Sequence, residues 1–138
     1  MILPQLMFGA FMVAVTVILH AIVTALLTER IRSHPPKLRN GWYRTAFIVF
    51  VIIWFFLAIA AECWLWAALL WALGAFDDLE TALYFSTVTY TTLGYGDVVL
   101  GEGLRLLGAF AAANGTIIIG WTTAMVFLAV QRIYGLDK

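Results

Sequence analysis

Charge is what this chain has least of. Eight basic and eight acidic side chains among 138 residues leave 12% of them charged and a formal net charge of zero. That balance provides no broad basic surface for nucleic acid or another polyanion. Cysteine is nearly absent. Cys63 stands alone, which excludes an intrachain disulfide and a cysteine metal site and leaves it as a small apolar filler in a helix. Proline occurs three times, twice in His34-Pro35-Pro36, where it breaks helicity between two apolar stretches. Met1-Ile2-Leu3-Pro4-Gln5 has no Lys or Arg. The start therefore lacks the basic region of a secretory signal and reads as a retained membrane helix. No stretch carries Arg at every third position, so no voltage-sensing helix is expected.

What is abundant is apolar. Hydrophobic residues make up 64% of the chain and its mean hydropathy is +0.97, which places it in the membrane class. A bilayer is crossed by about 20 apolar residues. Three runs reach that length: 4–27, 45–76 (broken only by Glu62) and 106–130. A fourth, 79–91, extends only about 20 Å as a helix and is too short to span. It fits a half-helix that enters and turns back. Asp77 with Glu80 three positions later matches a capping box at its start.

The basic residues orient the spans. Arg30, Arg32, Lys37, Arg39 and Arg44 lie between the first and second, and Arg132 and Lys138 follow the third. Asp77, Asp78, Glu80, Asp97 and Glu102 lie between the second and third, with Arg105 as the one basic residue there. The 28–44 loop and the C-terminus are expected to be cytoplasmic and the N-terminus outside. Trp42 and Tyr43 then fall at the inner interface, and Trp64, Trp66 and Trp71 near the outer one.

The most informative residues follow the short helix: Thr91-Thr92-Leu93-Gly94-Tyr95-Gly96-Asp97. Two glycines and repeated hydroxyls do not cross lipid as a regular helix. Irregular backbone at membrane depth survives only where protein buries it or where it lines a watery path. Alternating glycines permit dihedrals that turn successive carbonyls to one side, and a column of carbonyl oxygens can replace the water shell of a cation. One strand cannot surround an ion, so the mechanism requires other copies of the chain.

Thr92-Leu93-Gly94-Tyr95-Gly96-Asp97 resembles the selectivity filter of the potassium channel superfamily, with Leu93 where Val or Ile is usual. Ala82-Leu83-Tyr84-Phe85-Ser86 resembles the start of that family's pore helix. The resemblance implies an all-α membrane protein with three transmembrane helices, a re-entrant pore helix and a filter loop, assembled as a fourfold homotetramer in the lipid bilayer of the cell membrane. It implies K⁺ held at Thr92, Leu93, Gly94 and Tyr95, with Gly96 at the outer mouth. Thr91 and Asp97 would flank and support the filter. The Tyr95 ring would brace against Tyr84 and Phe85, and Asp97 would either accept a bond from Tyr84 or add negative potential at the mouth. Some relatives pair that Asp with an acid in the pore helix. The matching position here is Val88, so that pair is expected to be absent.

The partition that follows is a single membrane domain: an added N-terminal helix at 1–29, a cytoplasmic loop at 30–44, an outer helix at 45–76, pore helix and filter at 77–97, outer-mouth loop and inner helix at 98–131, and a short tail at 132–138. Eight residues follow Val130, and no cytoplasmic ligand-binding domain is expected there. Thr116, Ile119, Thr123 and Phe127 form one face of the inner helix, with Phe127 as a candidate hydrophobic gate against the alternative that it faces lipid. Gly115 is a candidate hinge or a packing contact, and Gly120 a packing contact. Asn114 is expected to make a structural hydrogen bond to the pore helix or a neighbouring subunit. Glu62 is a candidate brace on the pore helix through hydroxyls such as Ser86, or a proton-sensitive element. His20 is expected in the opposite leaflet from Glu62, which argues against a membrane enzyme built on the two. No cofactor is implied; K⁺ is the permeant ion. A weakly selective cation channel and a non-conducting accessory subunit remain as alternatives, and an unidentified regulatory subunit is open as a partner.

Overall fold

The computed structural model describes residues 2–33 and 40–134, all of whose regular structure is helical. The elements are α1 (Ile2–Ser33), α2 (Gly41–Ala72), α3 (Leu79–Tyr90) and α4 (Arg105–Tyr134). α1, α2 and α4 are long and apolar enough to cross a membrane. The break expected at His34-Pro35-Pro36 lies outside the described residues, as do Lys37, Arg39 and Lys138.

The helix ends differ from the hydropathy reading for identifiable reasons. α1 continues through Ser33 rather than stopping at 29, because charges do not end a helix that has left the apolar layer. Arg30 and Arg32 sit in its last turn, where they complement the negative end of the helix dipole. α2 begins at Gly41, before the expected 45, and stops at Ala72, before the expected 76. The stop is a glycine cap. Gly74 has φ 70°, its N–H reaches the Trp71 carbonyl at 2.9 Å, and the Ala75 N–H reaches the Leu70 carbonyl at 2.9 Å. This pair of bonds satisfies the last carbonyls and turns the chain out of the helix. α3 begins at Leu79 as expected, but its N-cap is Asp78 and not Asp77. The Asp78 carboxylate accepts from the Thr81 N–H at 2.8 Å and from the Thr81 hydroxyl at 2.7 Å, so Thr81 takes the part expected of Glu80.

α3 wedges between α2 and α4 with Ala82, Phe85, Ser86 and Tyr90 buried. The main core forms around it from Met12, Cys63, Trp66, Leu70, Phe85, Tyr90, Leu107, Ala111 and Ile118. Cys63 is the buried filler expected of it. Trp66 is fully buried and is therefore a core residue, not an interface anchor. A second cluster at the other end joins Leu27, Val51 and Phe55 to Met125, Val126 and Ala129.

α1 packs against both α4 and α2. Gln5, Gly9, Met12, Thr16, His20 and Leu27 recur every three or four residues, apart from one seven-residue step, and form one buried stripe. The stripe runs parallel to α4. Gln5 Oε1 accepts from the Leu106 N–H at 3.1 Å, which satisfies a donor in the open first turn of α4. Gly9 leaves room for the Phe110 ring, which a Cβ there would meet at 2.6 Å. Asn114 Nδ2 donates to the Thr16 hydroxyl at 2.5 Å. Asn114 therefore bonds to the first helix and not to α3.

Candidate functional site

The 91–97 segment hangs from the C-terminal end of α3, whose last carbonyls hold it. The Thr91 N–H and hydroxyl both reach the Thr87 carbonyl, at 3.0 and 2.7 Å. The Thr92 N–H reaches the Thr89 carbonyl at 3.0 Å, and the N–H groups of Leu93 and Gly94 share the Val88 carbonyl at 3.0 and 3.1 Å. From Thr92 the backbone alternates. Thr92, Gly94 and Gly96 have φ of 63°, 56° and 78°, whereas Leu93 and Tyr95 between them stay at negative φ. Alternation of backbone hand gathers N–H groups on one side of a strand and carbonyls on the other. Glycine adopts the left-handed region freely, but Thr92 is β-branched, and its conformation costs on the order of 1–3 kcal/mol that the surroundings must supply.

Beyond the segment, Asp97 Oδ2 accepts from the Tyr84 hydroxyl at 2.6 Å and Oδ1 from the Val98 N–H at 3.0 Å. The Tyr84 bond holds the Asp97 carboxyl below its ordinary range and raises the Tyr84 phenol above its own. Of the two roles considered for Asp97, the Tyr84 bond is the one seen. Within one chain the Tyr95 ring is 67% exposed, and Phe85 is turned inward against Phe76, with ring centroids 5.3 Å apart. The reason lies in the helix phase: Phe85 shares the buried face of α3 with Ala82, Ser86 and Tyr90, and that face points into the chain's own core. Leu93 is exposed as well, so one chain supplies no cover for either side chain.

The C-terminal end of α3 is fixed twice. Its last residue, Tyr90, presses its carbonyl against Gly115 of α4 so closely that a Cβ at Gly115 would stand 1.7 Å from the oxygen. Gly115 is thus a packing contact in this structure. Gly120 has nothing within 4 Å of a built Cβ, so the packing role expected there is not met inside one chain. Thr116, Thr123 and Phe127 are exposed and Ile119 half-buried, on the side of α4 away from α1.

The second fixing point is a buried polar network that corrects the placement of His20 and Glu62. The two residues meet: His20 Nδ1 lies 3.0 Å from Glu62 Oε1, and neither side chain has any exposure. Glu62 Oε2 accepts from the Tyr90 hydroxyl at 3.0 Å, and the Thr122 hydroxyl lies 3.2 Å from His20 Nε2. With Glu62 ionised, the donors run from Thr122 to His20 and from His20 to Glu62, and Tyr90 supplies the second donor to the carboxylate. The expectation of opposite leaflets assumed that α1 and α2 end at the same level. Counted from Ile2 and Ala72, the two residues differ in depth by about 12 Å. The helices are staggered by that amount. Trp54, two turns back along α2 from Glu62, donates to the Val23 carbonyl of α1, as antiparallel packing of the two helices requires. The bond from α3 to Glu62 comes from Tyr90 and not from Ser86, whose buried hydroxyl has no partner.

Four residues of this site were not singled out from sequence: Gln5, Thr16, Tyr90 and Thr122. A signal for two of them existed, since Gln5 and Thr16 share the helical face of His20 in an otherwise apolar run. Among the described residues no cluster of His, Cys, Asp and Glu is arranged to hold a metal ion.

No curated protein and no solved structure matches the chain. The sequence model of one protein family, described as ion channel, matches residues 45–132, which takes in nearly all of α2, α3, the 91–97 segment and nearly all of α4. On that match over more than half its length, in a chain with three membrane-crossing helices, the protein belongs to the ion channel family.

Proposed function

We propose that the chain is one subunit of a homotetrameric K⁺-selective channel that conducts passively through backbone carbonyls of residues 92–96. The observation that carries this reading is the alternation of left-handed backbone at Thr92, Gly94 and Gly96, directly after a helix too short to span. Carbonyls gathered on one side of such a strand are suited to replace the water around a bare cation, once other copies close the ring. The exposed Leu93 and Tyr95 side chains are surfaces such copies would bury, and the uncovered Thr116, Thr123 and Phe127 face of α4 is the one they would gather around the cavity. In this arrangement α3 is the pore helix, α4 lines the cavity with Phe127 toward its inner end, and Glu62 serves as a brace. The protein sits in the cell membrane with its N-terminus outside and its C-terminus in the cytoplasm.

The test is flux through the purified chain in liposomes. K⁺ uptake with a reversal potential that strongly favours K⁺ over Na⁺ is the expected result, and Gly96→Ala, which forbids the left-handed backbone without strain, abolishes it. A reversal potential near zero with K⁺ on one side and Na⁺ on the other identifies a weakly selective cation channel instead. Absence of flux identifies an accessory subunit.

A further inference from the structure

We propose that His20 of α1 is a positioning residue for the 92–96 segment, acting through Glu62 and Tyr90; the inference rests on the conduction route proposed above. The family match begins at residue 45, so α1 lies outside it, whereas Glu62, Tyr90 and Thr122 lie within it. The network therefore inserts a residue of the added helix into the matched architecture.

The route from His20 to the segment is short. The imidazole fixes Glu62 Oε1, and the other oxygen of the same carboxylate takes the Tyr90 hydroxyl. Tyr90 stands two positions before Thr92, in the turn whose Thr87, Val88 and Thr89 carbonyls hold residues 91–94. Rotation of Tyr90 would carry those carbonyls with it. The imidazole has little freedom of its own. Phe55 stacks on it at 5.6 Å, the Trp121 ring meets it edge-on at 5.3 Å, and Thr122 occupies its other nitrogen. The Thr16 side chain, anchored to α4 by Asn114, belongs to the same buried stripe of α1.

Removing the imidazole leaves a buried carboxylate with one donor where it had two. A buried charge short of partners draws in water or turns toward another donor. Either response competes with the Tyr90 hydroxyl, and the base of the segment loses one of its two fixing points. The consequence is looser spacing of the carbonyls, which reduces discrimination between ions before it reduces the amount of folded protein.

The experiment uses the full chain in liposomes and reads the K⁺/Na⁺ permeability ratio from bi-ionic reversal potentials. His20→Ala and Tyr90→Phe are each expected to lower the ratio about tenfold, a typical strength for coupling between separated sites. The double variant is expected to be no worse than either single one, because both cut the same path. His20→Asn, which can keep an N–H toward Glu62, is expected to recover most of the ratio. A selective wild type with an unaltered His20→Ala ratio overturns this inference alone, as do additive effects of the two single changes. A wild type that does not discriminate K⁺ overturns the conduction reading and the inference with it. If His20→Ala does not assemble, Thr122→Val decides by hydrogen exchange. Faster exchange across residues 87–96 supports the path, and exchange equal to wild type there overturns it.

Discussion

Replacing Gly115 with alanine adds one methyl group at the tightest helix contact in the molecule's glycine set. The new Cβ would stand 1.7 Å from the Tyr90 carbonyl oxygen, 2.6 Å from its carbon and 3.0 Å from the Tyr90 Cα. All three are backbone atoms, so no side chain can swing aside to relieve the overlap. α3 and α4 must separate by roughly 1.5 Å to regain ordinary contact. Overpacking of a tight core costs about 1–3 kcal/mol, and a clash with backbone belongs at the upper end. The better helix propensity of alanine returns about 1 kcal/mol. The net expectation is a loss of about 2 kcal/mol, read from unfolding in mixed micelles by tryptophan fluorescence. K⁺ flux should fall as well, because the displaced residue stands directly before the 91–97 segment. Gly120→Ala is the control: it meets nothing within 4 Å and is expected to be neutral or slightly stabilising in the separated subunit. A Gly115→Ala protein equal to wild type in both stability and flux would refute the packing argument. Normal stability with altered opening would instead point to a hinge.

Other consequences follow from the same contacts. Glu62→Ala leaves the His20 and Tyr90 donors buried without their acceptor, at about 1–3 kcal/mol each, so a loss of about 2–6 kcal/mol is expected in micelle unfolding. Asp97 is held below the ordinary carboxylate range by Tyr84. Its folded pKa is the lower one, so the bond contributes fully above about pH 4 and is lost as pH falls through the depressed value. The Asp97 carboxyl carbon should therefore titrate lower in wild type than in Tyr84→Phe, and coincident midpoints would refute the bond. Asp78→Ala removes the cap of α3 and should lower the unfolding midpoint in the same assay. Gly9→Leu drives a side chain into the Phe110 ring and should raise hydrogen exchange at the N-terminal ends of α1 and α4.

The helices were legible because length and hydropathy decide what crosses a bilayer, and the short α3 was placed within one residue of its end. The Tyr84–Asp97 bond was also within reach, since both residues lie in the part of the chain that resembles a known filter. Helix stagger was not legible. Hydropathy reports that residues are apolar, but it is nearly blind to axial offset and to rotation about the axis. His20 and Glu62 were separated on paper by an offset that the packing of α1 removes. The polar positions Gln5, Thr16 and His20 on one face of α1 carry its rotational phase, and together they mark the face buried against the rest of the chain. The inward turn of Phe85 and the exposure of Tyr95 depend on which face of α3 meets its own chain, and no local pattern encodes that.

The pairing of α1 with α4 has a bearing on how the protein is made. Its bonds join residues 98 to 102 positions apart. α1 is made before α4, so the Asn114 contact of its threonine and the Thr122 contact of its histidine must wait for that helix. Until then that polar stripe of α1 lacks its α4 cover, and uncovered polar atoms at membrane depth are costly. Closure of this long-range contact is a late event in biogenesis, and a chain arrested before residue 106 would present an unfinished seam to membrane quality control.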